Sequence, residues 1–328
     1  MRQATVRQLQ VFVAAAKSLS FARTAEQLHL TPAAVSFQIK QLESISGFPL
    51  FARVGKKTSL TEAGRSLLGY ADVVMTALND ADQAMLALKT GGGGRASVGL
   101  VSTAKYVVPH ILARFQSQYP GVTIRLVDGN RRQILDWLAN GDVDLAIMGR
   151  PPDDFDVDMH PFAPHPTVLI AAPTHPLTKR TSIRRTDLAS ETFVFREDGS
   201  GTRSLVSAFF DGAGFQPRVA MTSSSNETIK QAVMAGIGIA GISQHTIGLE
   251  LGLGLLKILP VEGWPLMRRW FVVNRRGMPL MPLHERLRDF FASEGPGIIA
   301  GLERGYAGLA AVSAPSKHRR KRAQRTGS

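Results

Sequence analysis

The chain contains no cysteine, which excludes disulfide frameworks, thiolate zinc sites and cysteine nucleophiles together. That absence fits a reducing compartment, and the cytoplasm is the expected location. No apolar run approaches the roughly 20 residues needed to span a bilayer, so no membrane association is expected. Met1 and Arg2 lead directly into a polar amphipathic segment rather than a signal sequence. The eight histidines are scattered, with no H-E-x-x-H pair, which argues against a metal site. His110, His245 and His284 read as ordinary surface or core residues. Neither G-x-S-x-G nor a G-x-G-x-x-G after a strand occurs, so neither a nucleophile elbow nor a dinucleotide turn is available, and no enzyme or cofactor is expected.

What the chain does have is 328 residues, 44% of them hydrophobic, and a formal charge of +13. That is room for more than one domain with buried cores. The charge is concentrated at the two ends. Residues 1–60 carry eight Lys or Arg against two Glu, and residues 317–328 carry six against none. The middle is nearly neutral, as a sensing or catalytic body would be, while a basic N-terminal part points to a polyanionic partner.

That part is organised around Phe21 to Gly47. Phe21, Ala25 and Leu28 recur at helical spacing, as do Val35, Ile39, Leu42 and Ile45. Thr31 can cap the second helix and Pro32 suits its first turn, so the connection falls at His29 and Leu30. With the apolar stripe buried, Thr31, Pro32, Ala33, Ser36, Phe37 and Lys40 mark the exposed N-terminal face of a major-groove reading helix. An ordinary αα-corner is the better reading for this window alone; its neighbours change the balance. A helix over Val6 to Ser18 precedes it. After Pro49, an alternating piece at Leu50–Arg53, a turn at Gly55–Lys57 and a return at Thr58–Leu60 predict a small β-wing. Arg53, Lys56 and Lys57 would meet phosphates or a minor groove there.

From Thr61 to Thr90 one helix is expected. Leu67, Ala71, Val74, Leu78, Ala81, Met85 and Leu88 step by four and three in a sustained heptad seam. Docking on the chain's own domain competes with dimerisation, and the flexible Gly91–Gly94 tether favours a dimerising linker helix. Arg95 to about Ser293 then alternates strands and helices. Strands are expected at Ser97–Val101, Val122–Val127, Asp144–Met148, Thr167–Ala172, Phe193–Arg196, Arg218–Met221, Ile239–Ser243 and Arg269–Val273, and helices at Val107–Tyr119, Arg131–Ala139, Thr202–Asp211, Asn226–Ala235 and Leu283–Phe291. This pattern predicts parallel sheets in two α/β subdomains with a cleft between them. The domains are therefore 1–60 (DNA-binding), 61–90 (linker helix), 91–94 (glycine hinge), 95–293 (two-lobed effector-binding) and 294–328, a basic, disordered tail whose alternative role is nonspecific DNA affinity.

At this point the residues resemble a family. The runs Ser20–Leu28, Ala34–Ser36 and Leu60–Gly64 are similar to the DNA-binding signature of LysR-type transcriptional regulators, and the likeness extends from Val6 to about Phe291. Ser102–Tyr106, Asp144–Pro152, Gly199–Arg203 and Ser225–Gly238 also resemble the subgroup that controls Calvin-cycle and RuBisCO operons. The resemblance implies a winged helix-turn-helix, a dimerising linker helix and a bilobal sensor of the type II periplasmic-binding-protein fold. It also implies a double-stranded DNA operator, a homodimer or homotetramer, and a small-molecule effector. One departure concerns base readout: the family usually places Gln where this chain has Pro32. A solute-binding transport protein would share the bilobal body but not the N-terminal 90 residues.

For the effector, residue chemistry and resemblance converge. Ser102, Thr103 and Lys105 follow the first sensor strand, where a helix N-terminus offers N–H groups to an anion. Ser200, Gly201 and Thr202 precede another helix, with Arg203 available to a phosphate or carboxylate. Arg150 closes the third strand's end. Ser225 and Asn226 read equally as N-caps or as ligand contacts. Arg131 and Arg132 read as a solvated face. The lining predicts a small anionic, phosphorylated effector.

Overall fold

The computed structural model describes residues 1, 3–54, 57–89, 93–212 and 214–313. Lys56, Gly91, Gly92 and the basic segment 314–328 lie outside the described residues. The chain divides into two compact units, Met1–Gly94 and Arg95–Ser328.

In the first unit, α1 (Val6–Ser18) starts at a capping box: Thr5 accepts from the Gln8 N–H while the Gln8 side chain accepts from the Thr5 N–H. The next two helices, α2 (Phe21–Leu28) and α3 (Pro32–Ser46), are joined through His29, which adopts φ 53°. Thr31 caps α3 by accepting from Ala34 N–H, as expected from the sequence. Val11, Phe12, Val35, Ile39 and Leu42 form the core of this unit. The wing consists of β1 (Phe51–Val54) and β2 (Lys57–Leu60), paired antiparallel. Its entry is fixed by Glu43, whose carboxylate accepts from the N–H groups of Leu50 and Phe51 at 2.8 and 3.3 Å.

One long helix, α4 (Glu62–Lys89), follows. A Cβ at Gly64 would stand 2.1 Å from the Leu50 carbonyl oxygen, so only glycine lets the helix start this close to the wing. The heptad seam divides along its length. Leu67 and Ala71 pack on the unit's own core, whereas Val74, Leu78 and Met85 are exposed. Own-domain docking thus accounts for the start of the seam, leaving its later part uncovered.

The second unit begins with β3 (Gly94–Val101), α5 (Val108–Gln118), β4 (Val122–Gly129), α6 (Arg131–Ala139) and β5 (Leu145–Met148). The pairing of β3 with β5 is parallel, as the alternation predicted. A long strand, β6 (Val157–Ala171), then leaves this lobe for the other. The second lobe holds β7 (Thr192–Arg196), α7 (Gly201–Phe210), β8 (Arg218–Ser223), α8 (Asn226–Met234), β9 (Ala240–Ser243), α9 (Gly248–Gly252) and β10 (Lys257–Ile258). Return is by β11 (Leu266–Arg275), antiparallel to β6 along most of its length and to β5. The sheet order is β10-β6-β11-β5-β3-β4, with β9 also on β6 and the parallel pair β7-β8 apart.

Two expectations need correction. The strand anticipated at Thr167 begins ten residues earlier, because β6 is a crossover that pairs with β11 before it pairs with β9 and β10. The last helix does not stop near Phe291: α10 (Pro282–Ser313) runs on through Pro296, and Gly295 and Ile299 on it are buried. Residues 294–313 are therefore part of the folded unit rather than a tail. Among the described residues no helix is long and apolar enough to cross a membrane, and no three His, Asp or Glu side chains cluster as a metal site would require.

Candidate DNA-facing helix and effector cavity

In α3, burial of Val35, Ile39 and Leu42 turns the opposite face outward. Thr31, Pro32, Ala33, Phe37 and Lys40 are exposed there, and Ser36 is half-buried beside them. Arg53 and Lys57 are placed by the backbone pairing of the wing, opposite Thr58 and Val54.

In the second unit a cavity of about 310 Å³ opens between the lobes. Its walls are the carboxyl end of β3 (Ser102, Thr103), the start of α6 (Asn130, Arg131), the residues after β5 (Gly149, Arg150), the two crossover strands (His165, Arg268) and the entry to α7 (Ser200, Gly201, Thr202). Strand ends and two helix N-termini thus converge, and the first N–H groups of each helix have no partner within it.

Four arginines share this space: Arg150 pairs with Asp153 at 3.5 Å, and the other three differ in what neutralises them. Arg196, 4% exposed, holds the Glu197 carboxylate through Nε and Nη2 at 2.8 and 2.9 Å. It also donates to Asn226 Oδ1 at 2.7 Å and, across the cleft, to Ser102 Oγ at 2.9 Å. Its charge is spent on the protein. Arg131 donates from Nη1 to the Arg150 carbonyl at 3.4 Å. Arg268 donates from Nη2 only to neutral hydroxyls, Thr167 Oγ1 at 3.0 Å and Thr202 Oγ1 at 3.3 Å. Its Nε is buried and has no hydrogen-bond partner among the described residues. Burial, followed by the positive charges of Arg131 and Arg196, pushes Arg268 down to about 10, which still leaves it cationic at neutral pH. A Cβ on Gly201 would stand 3.5 Å from Arg268 Nη1 and 3.8 Å from Arg131 Nη1, so glycine leaves open the space between the guanidinium groups and the start of α7. His165 lies opposite Arg268 in the β6–β11 register; burial and the Arg268 charge hold it well below its usual range, hence neutral.

Of the residues singled out from sequence, Ser102, Thr103, Arg150, Ser200, Gly201 and Thr202 line this cavity. Lys105, Ser225 and Asn226 line an adjoining opening that shares Ser102 and Arg196. There Lys105 is paired with Asp128 at 2.6 Å, Ser225 caps α8 by accepting from Thr228 N–H, and Asn226 is held by Arg196. Arg203 lines neither. It donates to the Arg196 carbonyl at 3.0 Å, lies 3.6 Å from Asp198 and sits 4.9 Å over the Phe195 ring, so it braces β7. Arg131, read from sequence as solvated, belongs in the cavity, and Arg268, Arg196 and His165 were missed. The one available signal was an arginine inside the apolar strand Leu266–Val273, a costly placement unless something anionic meets it.

Comparison with known proteins fits this geometry. Residues 6–65 match the model "Bacterial regulatory helix-turn-helix protein, lysR family", and residues 89–296 match "LysR substrate binding domain". The chain is similar to the HTH-type transcriptional regulator CfxR of Cupriavidus necator, at 45% identity over 88% of this chain and 92% of that protein. It is similar also to the HTH-type transcriptional regulator CbbR of Rhodospirillum rubrum, at 46% identity over 87% of this chain and 95% of that one. Among solved structures it resembles the Synechocystis CcmR regulatory domain in complex with 2-PG, at 35% identity and a TM-score of 0.58, over 68% of this chain and 99% of that domain.

Proposed function

Since the chain belongs to the LysR family of bacterial helix-turn-helix regulators, we propose that it is a cytoplasmic, dimeric or tetrameric regulator of carbon-fixation (Calvin-cycle) genes. It binds operator DNA through α3 and the wing and responds to a small phosphorylated anion held between the lobes. Arg268 carries the effector reading: a guanidinium with a buried, unpartnered Nε, hydroxyl neighbours and two further arginines is incomplete without an anion. The 2-PG bound by the related regulatory domain is of that kind, and 2-phosphoglycolate is the effector proposed here. A RuBisCO operon is the proposed target, from two further relatives, 40–41% identical, that are named RuBisCO operon transcriptional regulators. Such a ligand acts only by favouring one arrangement of the protein over another, so binding must alter the DNA complex.

The test titrates 2-phosphoglycolate into the full-length protein on the promoter fragment of the host's RuBisCO operon. A change of several-fold in affinity, or a shift in complex mobility, is expected with 2-phosphoglycolate and not with equal sulfate. No change with the phosphorylated ligand would end the effector reading; no preference for that promoter would end the operon reading.

Two substitutions separate the roles on α3. Lys40→Ala is expected to weaken every duplex alike and to lower the slope of log affinity against log salt by about one. Ser36→Ala should cost the cognate site alone about 0.5–1.5 kcal/mol, roughly two- to tenfold. Equal losses on cognate and random duplexes for Ser36→Ala would place Ser36 against the backbone instead.

A further inference from the structure

A second cavity, about 210 Å³, lies among the residues that follow β3, the short helix α9 and the later turns of α10. Its walls include Val107, Leu251, Ile299 and Leu302, and its polar side chains are Gln244, His245, Glu303, Tyr306 and Tyr106, whose hydroxyl is already given to Glu227. It exists because α10 continues past Phe291 and because α9 presents bare backbone. A Cβ at Gly248 would meet the Tyr306 ring at 2.1 Å, and one at Gly252 would meet the Tyr306 carbonyl oxygen at 2.7 Å. An apolar cavity of ~150 Å³ holds benzene, so this volume suits a single ring with one substituent.

The polar groups define the substituent. Trp270 Nε1–H donates to His245 Nδ1 at 3.1 Å, which leaves the His245 proton on Nε2. Nε2 lies 3.3 Å from Glu303 Oε1, and burial drives His245 down to about 4, so this contact is a neutral N–H donating to a carboxylate. Glu303 is left with accepting capacity beside an apolar wall. Lys230, 5.1 Å over the ring of Tyr106 in the wall, is engaged by Glu250, Glu227 and the Thr246 carbonyl. An anion would find a carboxylate and, among the described lining residues, no lysine or arginine, whereas a hydroxyl or amine would find an acceptor.

The ring system beneath His245 leads back to the effector cavity. His165 stacks on Trp270 with centroids 3.6 Å apart, and the His165 and His245 rings lie nearly parallel at 5.8 Å. His165 lines the first cavity opposite Arg268. We propose that the cavity under α10 is a second ligand site, for a small single-ring molecule carrying one hydrogen-bond donor, coupled to the effector cavity through the His245–Trp270–His165 column. The coupling rests on the reading of the first cavity as an anion site; the second site does not.

The experiment uses full-length protein with phenol, toluene and benzoate as probes, followed by ligand-observed NMR. Phenol should bind saturably with a Kd on the order of 1 mM or tighter, as small ring ligands can. Toluene and benzoate should bind about tenfold more weakly, because one lacks the donor and the other repels Glu303. Leu251→Trp, which fills the cavity, should abolish phenol binding, and Glu303→Gln, at a partly exposed position, should weaken phenol but not toluene. Saturating phenol should change the affinity for 2-phosphoglycolate at least about fivefold, the low end of allosteric couplings. Phenol that fails to saturate, or that binds Leu251→Trp as it binds the wild type, overturns the site. An unchanged 2-phosphoglycolate affinity overturns the coupling. If 2-phosphoglycolate does not bind at all, the effector reading fails, while the phenol measurements still decide the second site.

Discussion

Leu78→Asp is expected to abolish self-association and, with it, tight operator binding. Leu78 lies in the middle of the α4 seam and is 37% exposed in the single chain, flanked on the same stripe by exposed Val74 and Met85. When a second copy covers that stripe, each buried leucine contributes about 1.5–3 kcal/mol. The substitution removes two of them and places two carboxylates in an apolar seam, where burying unpaired charge is far costlier than on a surface. A loss of at least about 3 kcal/mol, more than a hundredfold in the dimer constant, follows. Because dimeric regulators of this kind engage two half-sites, operator affinity falls with the dimer. Asn79→Asp adds the same charge one residue off the seam and should leave the dimer intact. Sedimentation of the two variants side by side decides it; a dimer persisting in Leu78→Asp would show that the seam packs elsewhere.

Arg268→Gln is expected to lower 2-phosphoglycolate affinity about tenfold to hundredfold, since hydrogen bonds to charged groups are worth about 1.5–3 kcal/mol. Arg203→Gln should change it less than about threefold, because Arg203 is turned to the Arg196 carbonyl and Asp198. Stability should move the other way from affinity. Among the described residues Arg268 has no carboxylate hydrogen-bond partner and is crowded by Arg131 and Arg196, so removing its charge relieves repulsion in the free protein. Calorimetric titration with 2-phosphoglycolate, paired with thermal unfolding of the unliganded variants, measures both. Wild-type affinity in Arg268→Gln would move the effector elsewhere, whereas a collapse of thermal stability would make Arg268 a structural residue.

Where the sequence was legible, the causes were local. Thr31 with Pro32 starts α3, and the spacing of Val35, Ile39 and Leu42 fixes which face is buried and so which face is left exposed. These are interactions over three or four residues, which a sequence displays directly. The alternation of strands and helices likewise gave the bilobal class, and Ser102, Thr103, Ser200, Gly201 and Thr202, singled out because ligand sites favour strand ends and helix starts, line the cavity between the lobes. The length of α10 was not legible. Pro296 and several glycines resemble a tail, and what makes the segment helical is burial of Gly295 and Ile299, together with the fit of Tyr306 against Gly248 and Gly252.

The sequence by itself therefore determined that this chain binds DNA as a LysR-family regulator and senses through an α/β body, because caps, periodicity and signature runs act within a few residues. Only the tertiary structure decided which charges line the cavity between the lobes. Arg203, beside the glycine turn, is claimed by its own lobe, while Arg131 and Arg268, 137 positions apart, meet at Gly201. The reason is the double crossover: β6 and β11 set His165 opposite Arg268 at the bottom of the cleft, and such a pairing depends on strand register rather than on any neighbouring residue.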